Sequence, residues 1–242
     1  MADALDTQLT SHPEGLLAGL FRFAKSSVGS KVVMAITGVA LWGFVVAHMA
    51  GNLNMWAGPD AMNHYAQLLA SNPALVWLVR GGMLIAFPVH IWAAIRTTRL
   101  NQQARPAAYV HGVKTPASLG SRTMAISGLM VGAFVVYHLA HFTLHLTNPG
   151  HVTHLANGSV DVFSMVHRSF SVPWIAGIYI VAQLLLAEHL AHGISSLFFH
   201  LGVWGAAWTP FVGKAARAIA YAICLGFISV PLGVLFGLLR VP

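Results

Sequence analysis

Charged residues divide the chain into long apolar stretches. Lys, Arg, Asp and Glu are absent from residues 32–59, 81–95, 123–160, 169–187 and 218–239. A helix that crosses a bilayer needs about 20 mostly apolar residues, so these stretches predict five transmembrane helices if the second accommodates Arg80 and the fourth accommodates Glu188. We therefore expect an all-α integral membrane protein with spans at 31–53, 74–98, 122–147, 172–200 and 215–239.

The composition also indicates a membrane protein. Of the 242 residues, 57% are hydrophobic and 8% are charged, against about 25% charged in a typical soluble domain. Residues 1–30 carry acidic residues before any apolar run, so they predict a cytoplasmic N-terminal segment rather than a signal peptide, followed by a five-helix domain at 31–242. The single cysteine, Cys224, lies in the fifth span and is interpreted as core packing, which leaves no cysteine-based disulfide or zinc site.

The distribution of basic residues argues against nucleic acid as a partner, although the net charge is +7. Ten Lys and Arg residues lie before the first span or in the loops on the same side, and three lie on the other side. Because cytoplasmic loops are enriched in Lys and Arg, the N-terminus is predicted to be cytoplasmic and the C-terminus outside. The ten are Arg22, Lys25, Lys31, Arg96, Arg99, Arg105, Lys114, Arg122, Lys214 and Arg217; the three are Arg80, Arg168 and Arg240.

One stretch of eighteen residues occurs twice, ninety residues apart. Residues 34–51 (MAITGVALWGFVVAHMAG) align without a gap with residues 124–141 (MAISGLMVGAFVVYHLAH), and nine positions are identical. The two copies share MAI-[TS]-G at one end and FVV-x-H at the other. The first and third spans are therefore interpreted as equivalent elements, in which His48 corresponds to His138.

Each of the first four spans contains a candidate histidine: His48, His90, His138 and His189. An imidazole inside a bilayer needs a polar partner, and such residues are often functional. For any single one, an interhelical hydrogen bond explains the residue equally well, and His141 and His192 follow the last two candidates at a spacing of three residues. Four histidines in four successive spans favour a shared function.

The four histidines sort into two pairs by depth. At 1.5 Å per residue, and measured from the basic residues or span ends on the cytoplasmic side, His48 and His138 lie about 25 and 24 Å deep. On the same measure His90 and His189 lie about 9 and 17 Å deep. One pair therefore comes from the first and third spans, and the other from the second and fourth.

Two facing imidazoles are the axial ligands of a bis-histidine haem b, which transfers single electrons. Two such haems at two depths would form an electron path across the membrane. We expect the first four helices to form the core that holds them, and the fifth helix, at 215–239, to lie at its periphery. The alternative is a zinc or copper transport site, which needs ligands at one depth, usually with carboxylates or thiolates. Because Glu188 is the only acidic residue within the predicted spans, the haem interpretation is favoured.

Motifs in both helices and loops resemble the five-helix, di-haem cytochrome b subunit of type-B succinate dehydrogenases and fumarate reductases, from residue 26 to the end of the fifth span. The resemblance implies a multi-pass anchor in the bacterial cytoplasmic membrane that binds an iron–sulfur subunit and an FAD-containing flavoprotein on the cytoplasmic side. It also implies two haems b and a quinone, typically menaquinone, with the dicarboxylate site on the flavoprotein. The motifs are SSVGSKVVMAITG (26–38), AHMAGNLNMWAGPDAMNHYAQLL (47–69), ARPAAY (104–109), SRTMAISG (121–128), VYHLAHFT (136–143) and HLAHGISSLF (189–198).

The resemblance assigns the iron ligands by motif: His48 with His138 for the haem distal to the iron–sulfur subunit, and His90 with His189 for the proximal haem. The depth argument reaches the same pairing. The repeat favours His138 over His141, because His141 aligns with Gly51. The motif H-x-x-x-G-x-x-S favours His189 over His192.

Other polar residues are candidates for contact with haem, quinone or protons. Arg80 and Arg168, on the outer side, are candidates for the propionates of the distal haem, or they extend to the lipid headgroups. Glu188 is a candidate for proton transfer or for pairing with a neighbouring helix. His64 and Tyr65 lie in the outer loop at 52–73, which predicts a short amphipathic helix and offers groups for a quinone, although an aromatic belt explains the tyrosine equally well.

The surfaces predicted to bind the iron–sulfur subunit are residues 21–31 and 101–120, on side-of-membrane grounds. Two other functions stay open from the sequence. One is a haem-free membrane anchor, in which the histidines bind no metal. The other is a di-haem cytochrome b that serves a different dehydrogenase, such as a formate or hydrogen enzyme.

Overall fold

The computed structural model of the protein describes residues 13–104, 119–200 and 208–240. The described residues form an all-α fold without a β-strand. Most of the predicted partner-binding loop at 101–120, including the ARPAAY motif beyond Ala104, lies outside them. The helices are α1 (Pro13–Lys25), α2 (Ser27–Asn52), α3 (Pro59–Ala70), α4 (Pro73–Gln103), α5 (Leu119–His138), α6 (Val162–Phe170), α7 (Pro173–His200) and α8 (Thr209–Leu235).

Five of these helices are long and apolar enough to cross a membrane, which confirms the predicted number. They are α2, α4, α5, α7 and α8; a 3₁₀ turn (Leu53–Ala57) extends α2 and a π-helical turn (Leu139–Thr143) extends α5. The bounds differ most in α8, which begins and ends earlier than the predicted 215–239. It ends at Leu235 because Gly237 adopts φ +66° and its N–H bonds the Val234 carbonyl at 3.0 Å, a glycine-terminated helix end.

The four histidine-bearing helices pack in a specific order. α2 packs along α4, α5 packs along α7, and α2 also contacts α7. In contrast, α2 and α5 make at most marginal contact through their described residues, and the same holds for α4 and α7. The two helix pairs are therefore joined by the contact between α2 and α7. The described residues of α2 and α5 stay apart, as do those of α4 and α7.

The fifth span lies along one side of this arrangement. The helix α8 packs against two of the four histidine-bearing helices, α7 and α2. In its most apolar stretch, 44% of the residues are buried, against 6% in α2 and in α4. Cys224 is fully buried on α8, as expected for a residue that fills the core. Few residues of α2 and α4 are therefore fully buried by the rest of the described chain.

The two ends of the bundle differ in how they are built. At the end that we call the cap end, α3, α6 and the 3₁₀ turns pack over the helix ends and form the main apolar core. The helix α3 is the short helix that the sequence predicted within 52–73. The core residues are Met55, Met62, Phe163, Val166, Phe170, Ile175, Ala176, Tyr179, Val230, Val234 and Leu239.

At the opposite end, which we call the α1 end, α1 joins α2 through a sharp bend. A Cβ atom at Gly29 would lie 1.8 Å from the Phe23 carbonyl oxygen, so this close approach needs glycine. The Ser30 hydroxyl donates to the Ala24 carbonyl at 2.9 Å. The Arg96 guanidinium of α4 donates to the Lys25 carbonyl. The last turn of α1 is thus bonded to both α2 and α4.

Candidate functional site

The first histidine pair lies near the cap end and consists of His48 on α2 and His138 at the end of α5. Their ring centroids are 5.7 Å apart, and the ring planes meet at 77°. Phe44 stacks on His48 at 5.4 Å, and Phe134 and Tyr179 lie within 6 Å of His138. The contacts of these two rings with other helices are between rings, so packing sets the ring positions.

In the cap-end pair, ring nitrogens are left without a short hydrogen bond among the described residues. The Nδ1 atom of His138 is buried and has no partner among the described residues. The Nε2 atom of His48 lies 3.5 Å from the Asn52 side-chain amide, at the outer limit for a hydrogen bond. Asn52 makes its short bond, at 2.8 Å, to the backbone carbonyl of His48 instead.

The second pair lies nearer the α1 end and consists of His90 on α4 and His189 on α7. Here each ring has a hydroxyl partner on the helix that packs against it. The Thr37 hydroxyl of α2 lies 3.1 Å from His90 Nδ1. The Ser127 hydroxyl of α5 lies 3.4 Å from His189 Nδ1. The Nε2 atom of each ring is therefore the one left for another ligand.

A glycine next to each hydroxyl lets the imidazole approach the helix backbone. A Cβ atom at Gly38 would lie 3.4 Å from His90 Cε1, and one at Gly128 would lie 3.3 Å from His189 Cε1. Both distances are tight for carbon atoms in contact. Any larger side chain at these positions would press on the ring.

These hydroxyl and glycine residues occupy the same two positions of the sequence repeat. Thr37 and Gly38 align with Ser127 and Gly128, and the two hydroxyl residues lie eleven residues before His48 and His138 respectively. Eleven residues of α-helix span about 16 Å. The repeated helix thus provides a cap-end histidine at one end of the repeat and a contact for an α1-end histidine at the other. The sequence signal, MAI-[TS]-G, was visible, but its role was not predicted.

His141, the alternative to His138, is fully committed to hydrogen bonds. Its Nδ1 lies 2.9 Å from the Tyr179 hydroxyl and its Nε2 lies 3.1 Å from the Ser169 hydroxyl. The π-helical turn begins directly after His138, and its wider hydrogen bond runs from the Leu144 N–H to the Leu139 carbonyl. This turn rotates His141 away from the direction of His138 and towards α6 and α7.

His192, the alternative to His189, lies one turn further along α7 and is half-buried. In the described part of the chain its ring makes no hydrogen bond, and its backbone carbonyl accepts one from the Ser195 hydroxyl at 2.9 Å. The Ser127 and Gly128 contacts are made by His189 alone. His189, and not His192, therefore has the same hydroxyl and glycine contacts as His90.

The charged candidates lie outside the histidine pairs. Arg80 is exposed and its guanidinium lies 5.5 Å from the ring centroid of Trp77. Arg168 is also exposed. Glu188 is exposed on α7, and its carboxylate accepts a hydrogen bond from the Tyr221 hydroxyl of α8. None of these three side chains contacts a candidate ligand through the described residues.

The candidates on α3 divide between exposed and packed positions. His64 is exposed, whereas Tyr65 lies against Gly51, where a Cβ atom would be 2.5 Å from the tyrosine oxygen. The buried Asn63, which the sequence did not single out, donates to the Asp161 carboxylate at 2.9 Å and so joins α3 to the start of α6.

Asp161 is a titratable group of the cap end whose pKa is shifted. Burial alone would raise the pKa of Asp161. The backbone N–H and hydroxyl of Ser164, the Asn63 amide and the charge of Arg168 outweigh burial, and they hold the pKa of this carboxyl below its usual value of 3.8. The carboxylate caps α6 through the Ser164 N–H at 3.0 Å.

The two histidine pairs are the residues that could hold a metal-containing cofactor. Each histidine pair joins two helices that do not pack directly, α2 with α5 and α4 with α7. Imidazole binds metals at about 2 Å, so two rings on one metal have centroids about 6 Å apart, close to the 5.7 Å between His48 and His138. No group of three or more His, Cys, Asp or Glu residues is arranged to hold a metal ion within the described ranges. The spacing of His48 and His138 is therefore that of two imidazoles that could hold one metal between them.

No family model matches the sequence, and no curated protein or solved structure matches it either.

Proposed function

We propose that the protein is the membrane-anchor cytochrome b subunit of a succinate:quinone oxidoreductase of the succinate dehydrogenase and fumarate reductase type. In this role it holds two haems b, one between His48 and His138 and one between His90 and His189. When bound, each haem supplies one-electron transfer. The subunit would connect an iron–sulfur subunit to a membrane quinone, typically menaquinone, while a flavoprotein carries the dicarboxylate chemistry.

The observation that carries the proposal is the match between ligand pairs and helix packing. Both histidine pairs join helices that stay apart, whereas the hydroxyl contacts to His90 and His189 join helices that pack. Interhelical hydrogen bonding alone, as in a haem-free anchor, would need neighbouring helices in close contact at all four histidines. The commitment of both His141 nitrogens to hydroxyls supports His138 as the ligand.

The basic residues support a cytoplasmic location for the α1 end. Described residues Lys25 and Arg96 meet there, and Arg168 and Arg240 lie at the cap end with α6. By the positive-inside rule, the iron–sulfur partner would bind at the α1 end and the C-terminus would lie outside a bacterial cytoplasmic membrane. His90 and His189 would then hold the haem nearer that partner.

The residues of this chain would position and shield the cofactors rather than react. The imidazoles bind through neutral nitrogens, and the surrounding aromatic side chains exclude water from the cap-end pair. Arg80 and Arg168 are the proposed cationic partners of propionates at the cap end. Quinone contact is proposed for His64 and Tyr65 on α3.

Proton transfer through Glu188 has a direct test. We expect a Glu188→Gln protein to retain both haems, because the side chain bonds Tyr221 and not a histidine. If Glu188 carries protons, quinone turnover by the complex falls several-fold at unchanged haem content, whereas a Tyr221→Phe control, which removes the bonded hydroxyl, retains turnover. Unchanged turnover in Glu188→Gln with normal haems rejects the proton role.

The proposal as a whole is tested by optical spectroscopy of the purified protein. A dithionite-reduced minus oxidised spectrum, with haem counted as the pyridine haemochrome, should give two haems b per chain. One haem would mean that a histidine pair is misassigned, and none would return the haem-free anchor. Co-purification with a subunit that carries covalent flavin then separates this complex from a formate or hydrogen enzyme.

A further inference from the structure

We infer that Thr37 and Ser127 are positioning residues that fix the tautomer of the α1-end histidines. Each hydroxyl accepts a hydrogen bond from Nδ1–H of the facing ring, so the proton is held at Nδ1 and the lone pair of Nε2 stays free. The effect on the haem potential rests on the proposed function. The assignment of the tautomer does not.

The direction of the hydrogen bond follows from the protons available at Thr37. A threonine hydroxyl has one proton and two lone pairs. The Thr37 proton is used within α2, where the hydroxyl lies 2.8 Å from the Val33 carbonyl and 3.2 Å from the Met34 carbonyl. Towards His90 the hydroxyl therefore acts as an acceptor, which places the ring proton at Nδ1.

The same assignment of donor and acceptor applies to Ser127 in the second copy of the repeat. Its hydroxyl donates to the Met124 carbonyl at 3.2 Å and faces His189 Nδ1 at 3.4 Å. Two independent helix pairs thus reach the same donor and acceptor pattern from the same repeat position. A chance contact would not be expected to recur at equivalent positions with the same nitrogen.

Such a hydrogen bond has a chemical effect on a metal-bound imidazole. An acceptor at Nδ1–H draws the proton away from the ring, which makes Nε2 a stronger donor and orients the ring plane. A stronger donor stabilises the oxidised iron, so the hydroxyls are expected to lower the potential of the α1-end haem. Among the described residues no hydroxyl bonds the Nδ1 atom of His48 or His138, so the cap-end pair serves as the internal reference.

The first experiment is a potentiometric titration of the purified protein with Thr37→Val and Ser127→Ala combined. The expected result is a positive shift of one haem, of up to about tenfold in its one-electron equilibrium constant, which corresponds to about 59 mV, while the other haem keeps its potential. The Thr98→Val protein is the control, because among the described residues the Thr98 hydroxyl bonds the Ala94 carbonyl of its own helix and no histidine. Thr37→Ser and Ser127→Thr exchange the two hydroxyl residues and should retain the wild-type potentials.

The second experiment measures the tautomer without any haem. Protein labelled with ¹⁵N-histidine and prepared haem-free should show two ring signals of the Nδ1–H form that are lost in the double variant and retained in the exchange variants. Wild-type protein that never binds haem would reject the proposed function but would leave this measurement intact. Two haems with unmoved potentials in the double variant, or Nε2–H signals for His90 and His189, would overturn the inference.

Discussion

The two histidine pairs use the same helix geometry but are held by different forces. Rings pack around His48 and His138, and the Nδ1 atom of His138 has no partner among the described residues. Hydroxyls and glycines hold His90 and His189. Packing fixes where a ring lies, whereas a hydrogen bond also fixes which nitrogen carries the proton. The pairs should therefore respond to different substitutions.

The largest expected effect breaks the cap-end pair. His138→Ala should lower the haem content from two per chain to one, measured as the pyridine haemochrome, because His48 loses its opposite ligand. His141→Asn is the matched control and should keep both haems, although it leaves the Tyr179 and Ser169 hydroxyls with poorer partners at a cost of about 1–3 kcal/mol. A two-haem His138→Ala protein would contradict the pairing.

A second substitution acts on the α1-end pair alone. Gly128→Val should push against the His189 ring, because even a single Cβ atom there would lie 3.3 Å from Cε1. We expect partial loss of one haem and an altered low-spin EPR signal for what remains, with the cap-end haem unchanged. Gly213→Val on α8 is the control, since nothing lies within 4 Å of a Cβ atom at that glycine. Equal loss in both proteins would point to a general defect in helix packing.

A smaller effect is expected from the polar network beside the cap-end pair. The Ser169 hydroxyl lies 3.1 Å from His141 Nε2 and 3.1 Å from His151 Nδ1. Ser169→Ala leaves two ring nitrogens without this partner and should lower the stability by about 1–3 kcal/mol, seen as a lower thermal midpoint in detergent with both haems retained. Ser171→Ala, at an exposed serine, should change the midpoint little. Loss of a haem in Ser169→Ala would mean that the network positions a ligand.

The smallest expected effect concerns pH and the attachment of α3 to α6. Because the pKa of Asp161 is held below 3.8, its carboxylate stabilises the fold above that pH, and the contribution is lost as the pH falls through the lowered pKa. Asp161→Asn should therefore have a lower thermal midpoint than wild type at neutral pH, and the difference should shrink below about pH 4. Asp60→Asn, at an exposed carboxylate of the same cap, is the control. If the difference in thermal midpoint between Asp161→Asn and wild type does not change with pH, the effect comes from the shape of the side chain and not from its charge.

The sequence was sufficient for the features that depend on composition and period. Five spans, a candidate histidine in each of the first four, and the short helix α3 all follow from apolar stretches and helical spacing. The pairing of His48 with His138 follows from depth along straight helices and agrees with the short distance between the rings. Its role as a haem ligand pair remains a prediction.

The remaining features depend on contacts that no single segment encodes. The hydroxyl of Thr37 meets His90 only because α2 packs along α4, and sequence spacing carries no information about that neighbour. The bend between α1 and α2 depends on Gly29 and on Arg96, which are far apart in the chain. The end of α8 at Leu235 depends on the left-handed conformation of Gly237, a local choice that apolar composition does not reveal.

The π-helical turn at Leu139–Thr143 also sets a limit on the repeat as a guide to structure. The two copies align without a gap through position 141, but α2 remains regular to Asn52 whereas α5 changes its winding directly after His138. After His138, residues that align in the two copies no longer lie at equivalent positions on their helices. Gly51 and His141 are thus partners in the alignment only, and deleting one residue from the π turn should turn His141 back towards the histidine pair.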